Sequence, residues 1–156
     1  LKIEPFTAEN VAYAVQLGQE LVNMGTFGQT GPHFEWHHAM QSTLMAMGND
    51  DYYLRLGVDD SGSYVGFVGG HMDTFFFSPR RYGQEDAWYV RPGVVGRTKI
   101  AVALMRGFVK WVLDDKGGVL VQSGDVAAID TVAVDGIYKH MGFTRFGTIY
   151  KYARKN

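Results

Sequence analysis

The 156-residue sequence contains no cysteine. That absence excludes a disulfide-stapled scaffold, a thiolate-ligated zinc site and a cysteine nucleophile. Long apolar runs are also lacking. None approaches the roughly 20 residues that a membrane-spanning helix needs, so no membrane partner is expected. No charge sign dominates: 15 Lys and Arg stand against 16 Asp and Glu, for a net charge of -1. Such a balance argues against a nucleic-acid partner. No secretory signal pattern opens the chain, and the expected location is the cytoplasm. Proline is scarce, with four residues. No linker, repeat or low-complexity tract divides the sequence, so 1–156 is read as one domain. What is present, 46% apolar and 20% charged residues, is the composition of an ordinary globule long enough to bury a core.

Periodicity orders the elements. Residues 1–6 alternate as a short strand. Thr7 is a suitable N-cap for a helix carrying Val11, Ala14, Val15, Leu21 and Val22 on one stripe, with Gly25 as its stop. Trp36, Met40, Leu44 and Met47 mark a second helix over 34–47. Tyr52 to Val58 and Tyr64 to Asp73 read as a hairpin around Asp59-Asp60-Ser61-Gly62. Residues 75–83 look irregular, and 87–90 is a short apolar strand. Ile100, Leu104, Phe108, Trp111 and Val112 define a third helix ending near Lys116-Gly117-Gly118. Residues 119–121 form a buried strand. Val134, Ile137 and Met141 lie on a short helix closed by Gly142, and 143–152 reads as a last strand. The helix between the strands at 87–90 and 119–121 is a crossover, which implies that the two strands run parallel.

Two segments stand out within that order. One is Trp88-Tyr89-Val90-Arg91-Pro92, a turn, then Arg97-Thr98-Lys99-Ile100-Ala101 opening the third helix. The other is Tyr138-Lys139-His140-Met141-Gly142-Phe143. With the glycine-bearing strand Val65 to Gly70, they resemble the GNAT superfamily of N-acetyltransferases over residues 50–153. The likeness includes short members, carried by phages and mobile elements, whose pyrophosphate loop is degenerate. The resemblance implies an α/β (α+β) fold: a mixed, mostly antiparallel sheet with one central parallel strand pair and helices on both faces. It implies transfer of an acetyl group from acetyl-CoA, as cosubstrate, to an amine by direct attack on the thioester, with no metal. The acceptor would be an amine-bearing small molecule or a peptide or protein. A catalytically silent CoA- or partner-binding protein of the same fold is the alternative. The family's usual loop, Q/R-x-x-G-x-G/A, aligns with Gly96, Arg97, Thr98, Lys99, Ile100 and Ala101. Its first position and its central glycine are replaced, and only the small last residue is kept.

Helix-start N–H groups and the positive end of the helix dipole suit a pyrophosphate, and Arg97 and Lys99 add charge. The plainer reading of the same residues is a solvated basic turn. By the resemblance, a backbone N–H at Tyr89–Val90 would hold the developing oxyanion, Thr131 would stand where an Asn often opens the last helix, and Tyr138 would protonate the leaving thiolate. A lysine-like amine has a pKa of about 10.4, so a base must also take a proton. Asp86 is the first choice and Glu85 the second. Strict alternation puts Asp86 on one face with Trp88 and Val90, and Glu85 on the other with Ala87 and Tyr89. His71 and Asp73 share a face and read as a base–orienter pair or a polar strand end. His33 and His37 stand at helical spacing without a third ligand, and with Phe34, Trp36 and His38 read as an acceptor-pocket wall or simple helix packing. Phe75-Phe76-Phe77 would cover the acceptor groove, form a homodimer contact, or fill the core edge.

Overall fold

Among the described residues five strands join into one sheet in chain order. They are β1 (Lys2–Pro5), β2 (Tyr52–Val58), β3 (Tyr64–Thr74), β4 (Arg81–Val90) and β5 (Val121–Gln122). The computed structural model describes residues 1–25, 33–124 and 131–147, without the Thr131 side chain. The first three pairings are antiparallel and β4–β5 is parallel. Helices α1 (Val11–Met24) and α2 (Trp36–Met47) precede β2. Helix α3 (Arg97–Lys110) makes the crossover from β4 to β5 and runs on into a π turn, Trp111–Asp115. Helix α4 (Thr131–His140) follows β5. Among the described residues no helix is long and apolar enough to cross a membrane.

The sheet separates two apolar clusters. On one face α3 buries Ile100, Leu104, Met105 and Phe108, and the π turn buries Val112, against Tyr53, Val68, Met72 and Val90. Burying a side chain of this kind contributes about 1.5–3 kcal/mol. Close approach is possible because the strands carry glycine at two points beneath the helix. A β carbon at Gly83 would stand 2.2 Å from Val112, and one at Gly70 would stand 2.5 Å from Phe108. Tyr138, Met141 and Phe143 pack on this same cluster. On the opposite face Ala14 and Leu17 of α1 meet Leu56, Phe67 and Tyr89.

The element order agrees with the periodicity, and several boundaries move. Helix α1 starts at Val11, because Asn10 organises the preceding turn: its Oδ1 accepts from Thr7 N–H at 2.7 Å and its Nδ2 donates to the Pro5 carbonyl at 3.1 Å. Strand β4 begins at Arg81, within the stretch expected to be irregular, and only residues 75–80 form the connection. The stripe Trp36, Met40, Leu44 and Met47 does form a helix, but α2 contains no buried residue. Residues 143–147 contain no strand, and the rest of the expected last strand lies outside the described residues.

Candidate active site

The site is built where β4 and β5 part. The parallel ladder joins Gly83 to Val121 and Gln84 to Gln122. Just before it, Gly83 N–H donates to the Leu120 carbonyl at 3.0 Å. Among the described residues β5 stops at Gln122, whereas β4 continues to Val90. One edge of β4 therefore lines a split between formerly paired strands.

A β-bulge sits at the mouth of this split. Gly69 pairs with Ala87 but Gly70 pairs with Glu85, so Asp86 is the extra residue on β4. The insertion reverses the facing expected from alternation. Glu85 joins the α3–α4 side, where Trp88 packs, and is buried at 8% exposure. Its Oε2 accepts from Ser123 Oγ at 2.7 Å and from Gly124 N–H at 3.4 Å, on the chain leaving β5. Asp86 instead reaches His71, with Oδ2 at 2.8 Å from Nδ1. His71 shares β3 parity with Phe67, on the α1 side, and its ring lies 5.4 Å from that of Tyr52. Asp73 is not the partner of His71; it accepts a hydrogen bond from Tyr82 OH at 3.3 Å.

Tyr138 enters the split from α4. Gly142, at φ 88°, ends that helix in the left-handed region that glycine adopts without strain. The turn lets Phe143 N–H donate to the Tyr138 carbonyl at 3.0 Å and folds the Phe143 ring to 5.2 Å from the phenol ring. Trp88 of β4 packs on Tyr138 at 5.3 Å, and its Nε1–H donates to the Ala101 carbonyl at 3.2 Å. The spacing of Tyr138, Gly142 and Phe143 thus has a local cause, a helix end that clamps its own tyrosine. Tyr138 OH lies 2.5 Å from Ser123 Oγ. Glu85 and Tyr138 are brought together through Ser123, a residue that no motif marked.

The start of α3 supplies the polar end. Gly96 caps it in a left-handed conformation, φ 73°. Arg97 N–H donates to the Val94 carbonyl and Ile100 N–H to that of Gly96. Among the described residues the Thr98 and Lys99 N–H groups have no backbone acceptor, and both side chains are exposed. An anion fits there. Arg97 turns back, its Nε donating to the Val90 carbonyl at 3.0 Å. Ile100 and Ala101 are buried in the core cluster, so a larger side chain at 101 would overpack the core rather than screen an anion. Arg91 N–H bonds to the Val65 carbonyl, which makes Gly66–Val90 a pair without mutual hydrogen bonds. The N–H groups of Val90 and, two residues back, Trp88 therefore point away from β3 toward the split. The Tyr89 N–H faces β3. Its side chain is buried on the α1 side, and burial pushes its phenol pKa up.

Arg91 fastens α1 to the end of β4. Its Nη2 and Nε donate to the two carboxylate oxygens of Glu20 at 2.6 and 2.8 Å. Hydrogen bonding to Glu20 raises the pKa of the already basic guanidinium. Residues 71 positions apart give no sequence signal for such a pair. The His-rich stretch is exposed at His33, His37 and His38, while Phe34 approaches α1 at Gly18. Phe76 and Phe77 are exposed at the β3–β4 tip, and Phe75 stacks on Tyr82 at 4.6 Å. Among the described residues no three His, Asp or Glu side chains are grouped as a metal site. The Thr131 side chain lies outside the described residues.

Solved structures share this arrangement over nearly their whole length. A probable acetyltransferase superposes with a TM-score of 0.75 at 16% identity, covering 100% of this chain and 98% of the other. AAC(6')-Iy, in complex with the bisubstrate analog CoA-S-monomethyl-acetylneamine, gives 0.72 at 15% identity over 99% and 98%. The aminoglycoside 6'-N-acetyltransferase AAC(6')-IG from Acinetobacter haemolyticus gives 0.69 at 13% identity over 100% and 99%. The fold is the GNAT fold. No family model matches the sequence, and no curated protein does. On this fold, the residues singled out by the sequence resemblance lie at the end of β4, at the start of α3 and on α4.

Proposed function

We propose that the protein is an acyl-CoA-dependent N-acyltransferase that moves an acetyl group from acetyl-CoA to an amine by direct attack on the thioester. One observation carries this reading: β4 and β5 separate immediately beyond Gln84–Gln122, and the opening holds a buried carboxylate, Glu85, and a phenol, Tyr138. A slot between parted strands can hold an extended arm by backbone hydrogen bonds. The Thr98 and Lys99 N–H groups and the Lys99 ammonium would receive the phosphates. The outward N–H groups of Trp88 and Val90 would hold the thioester oxygen as it gains charge. Glu85 would take the proton of the amine and Tyr138 would give one to the departing sulfur.

The amine would approach from the α1–α2 side, where the exposed carboxylates of Asp86 and Asp73 favour a cationic acceptor, and would pass into the opening between β4 and β5 to reach Glu85. The aminoglycoside acetyltransferases among the structural neighbours make amine-bearing small molecules, aminoglycosides included, the first class to try. The test is thiol release from acetyl-CoA with a panel of aminoglycosides, polyamines, amino acids and peptides. Turnover is expected with at least one cationic small molecule. Stabilisation by acetyl-CoA without thiol release from any amine would leave only a CoA-binding role.

A further inference from the structure

We infer that Ser123 is a proton-relay residue joining Glu85 to Tyr138, so that uptake of the amine proton at Glu85 is coupled to delivery of the Tyr138 proton to the sulfur. The inference rests on the acyl-transfer reading above. Ser123 Oγ donates to Glu85 Oε2 at 2.7 Å and lies 2.5 Å from Tyr138 OH. A serine hydroxyl has one proton to give and lone pairs to receive. Once that proton points at Glu85, the contact with Tyr138 must have the phenol as donor. The resting order is therefore Tyr138 O–H to Ser123 Oγ, and Ser123 O–H to the Glu85 carboxylate. In this order the phenol proton is directed at Ser123 and away from a thioester.

Protonating Glu85 reverses the chain. The carboxylic acid donates to Ser123 Oγ, Ser123 donates to Tyr138, and the phenol proton is freed toward the slot. The acid is thus presented only after the base has taken its proton. Atoms balance without another reactant. The amine nitrogen pair forms the C–N bond, and the C–S bond breaks with its pair on sulfur. The amine proton enters the chain at Glu85 while the Tyr138 proton leaves it to sulfur. The chemistry favours such a hand-over. A phenol is ordinarily a weaker acid than a thiol and gives its proton to a thiolate uphill, whereas a carboxylic acid is ordinarily the stronger acid and gives it downhill. Refilling Tyr138 through Ser123 couples the sulfur to the stronger acid.

Ser123→Ala removes the link and leaves both end groups in place, and Ser123→Thr keeps a hydroxyl. Ser123→Ala should lower kcat with the preferred amine by roughly ten- to a hundredfold, the low end of acid–base contributions. Acetyl-CoA affinity and thermal midpoint should stay near wild type, and Ser123→Thr should recover most of the loss. The proton inventory in mixed H2O and D2O should be curved for wild type and linear for Ser123→Ala. A separate readout uses the free protein with 13Cζ-tyrosine, the Tyr138 signal being assigned from its loss in Tyr138→Phe. That signal should move in Ser123→Ala, and should move in Glu85→Gln only while Ser123 is present. Full turnover and a curved inventory in Ser123→Ala would overturn the relay and leave acyl transfer standing. A Tyr138 signal indifferent to both changes would overturn it independently of any assay. Absence of thiol release from wild type would remove the acyl-transfer reading, and the catalytic role of Ser123 with it.

Discussion

The two faces of the sheet are packed to different standards. Under α3 the side chains of Leu104, Met105, Phe108 and Val112 have no exposure at all, and glycine strands let the helix lie against the backbone. On the other face α1 still buries Leu17 and Leu56 completely, and it is under α2 that the cover is thinner. Helix α2 buries nothing, Leu44 and Met45 are 47% and 72% exposed, and a shallow pocket of about 70 Å³ lies among Phe6, Met47, Tyr52 and Leu54. The tight side carries the α3 start, Trp88 and Tyr138. The loose side carries Asp86 and His71. On the proposed acyl transfer, an invariable cosubstrate would need a fixed cradle, and a rigid helix start is a good one. An acceptor surface gains from cover that can adjust, since weakly packed elements are the ones that open at low cost.

The largest expected effect tests that contrast directly. Phe108→Ala should cost about 3–5 kcal/mol of stability, the usual range for a fully buried aromatic, whereas Leu44→Ala should fall within about 0.5 kcal/mol of wild type. Urea unfolding of both variants measures the difference, and equal losses would remove the contrast. Next, Tyr138→Phe should lower thiol release by roughly ten- to a thousandfold while acetyl-CoA affinity changes little. The ring contacts with Trp88 and Phe143 survive that change, so a thermal midpoint near wild type is expected too. Wild-type turnover where chemistry limits the rate would assign the tight side a packing role only. The smallest effect belongs to the rim. Lys99→Ala should weaken acetyl-CoA binding a few-fold at low salt, a helix-end charge being worth about 0.3–1 kcal/mol, and the difference should fade as salt screens it. A loss that persists at high salt would mean that Lys99 makes a closer contact than an exposed point charge.

Much of the tight side was legible in the sequence, because its signals are local. Helix periodicity from Ile100 to Val112, the crossover, and Tyr138 with Gly142 and Phe143 each depend on residues within a few turns of one another. Parity on β4 failed because one inserted residue changes a register without altering composition. Nothing in Glu85-Asp86 says which carboxylate is the extra one. That is settled by Gly69 and Gly70, on another strand. Ser123 and the Glu20–Arg91 pair were invisible for a related reason, since their meaning comes from partners 15 to 71 positions away. The base–orienter reading of His71 with Asp73, weighed beside that of a polar strand end, rested on two residues sharing one face. The bulge brought a nearer carboxylate to His71.

The same bulge has a consequence for how the protein can change. Glu85 and Asp86 are consecutive in the chain, yet the backbone of the sheet stands between their side chains. One reaches Ser123 and the other His71, with no side-chain partner in common among these contacts. Substitutions at the two positions therefore change contacts on opposite faces of the sheet. On the proposed function, substitutions at Asp86 would alter the surface that meets the amine, and substitutions at Glu85 would alter the proton relay on the other face of the sheet.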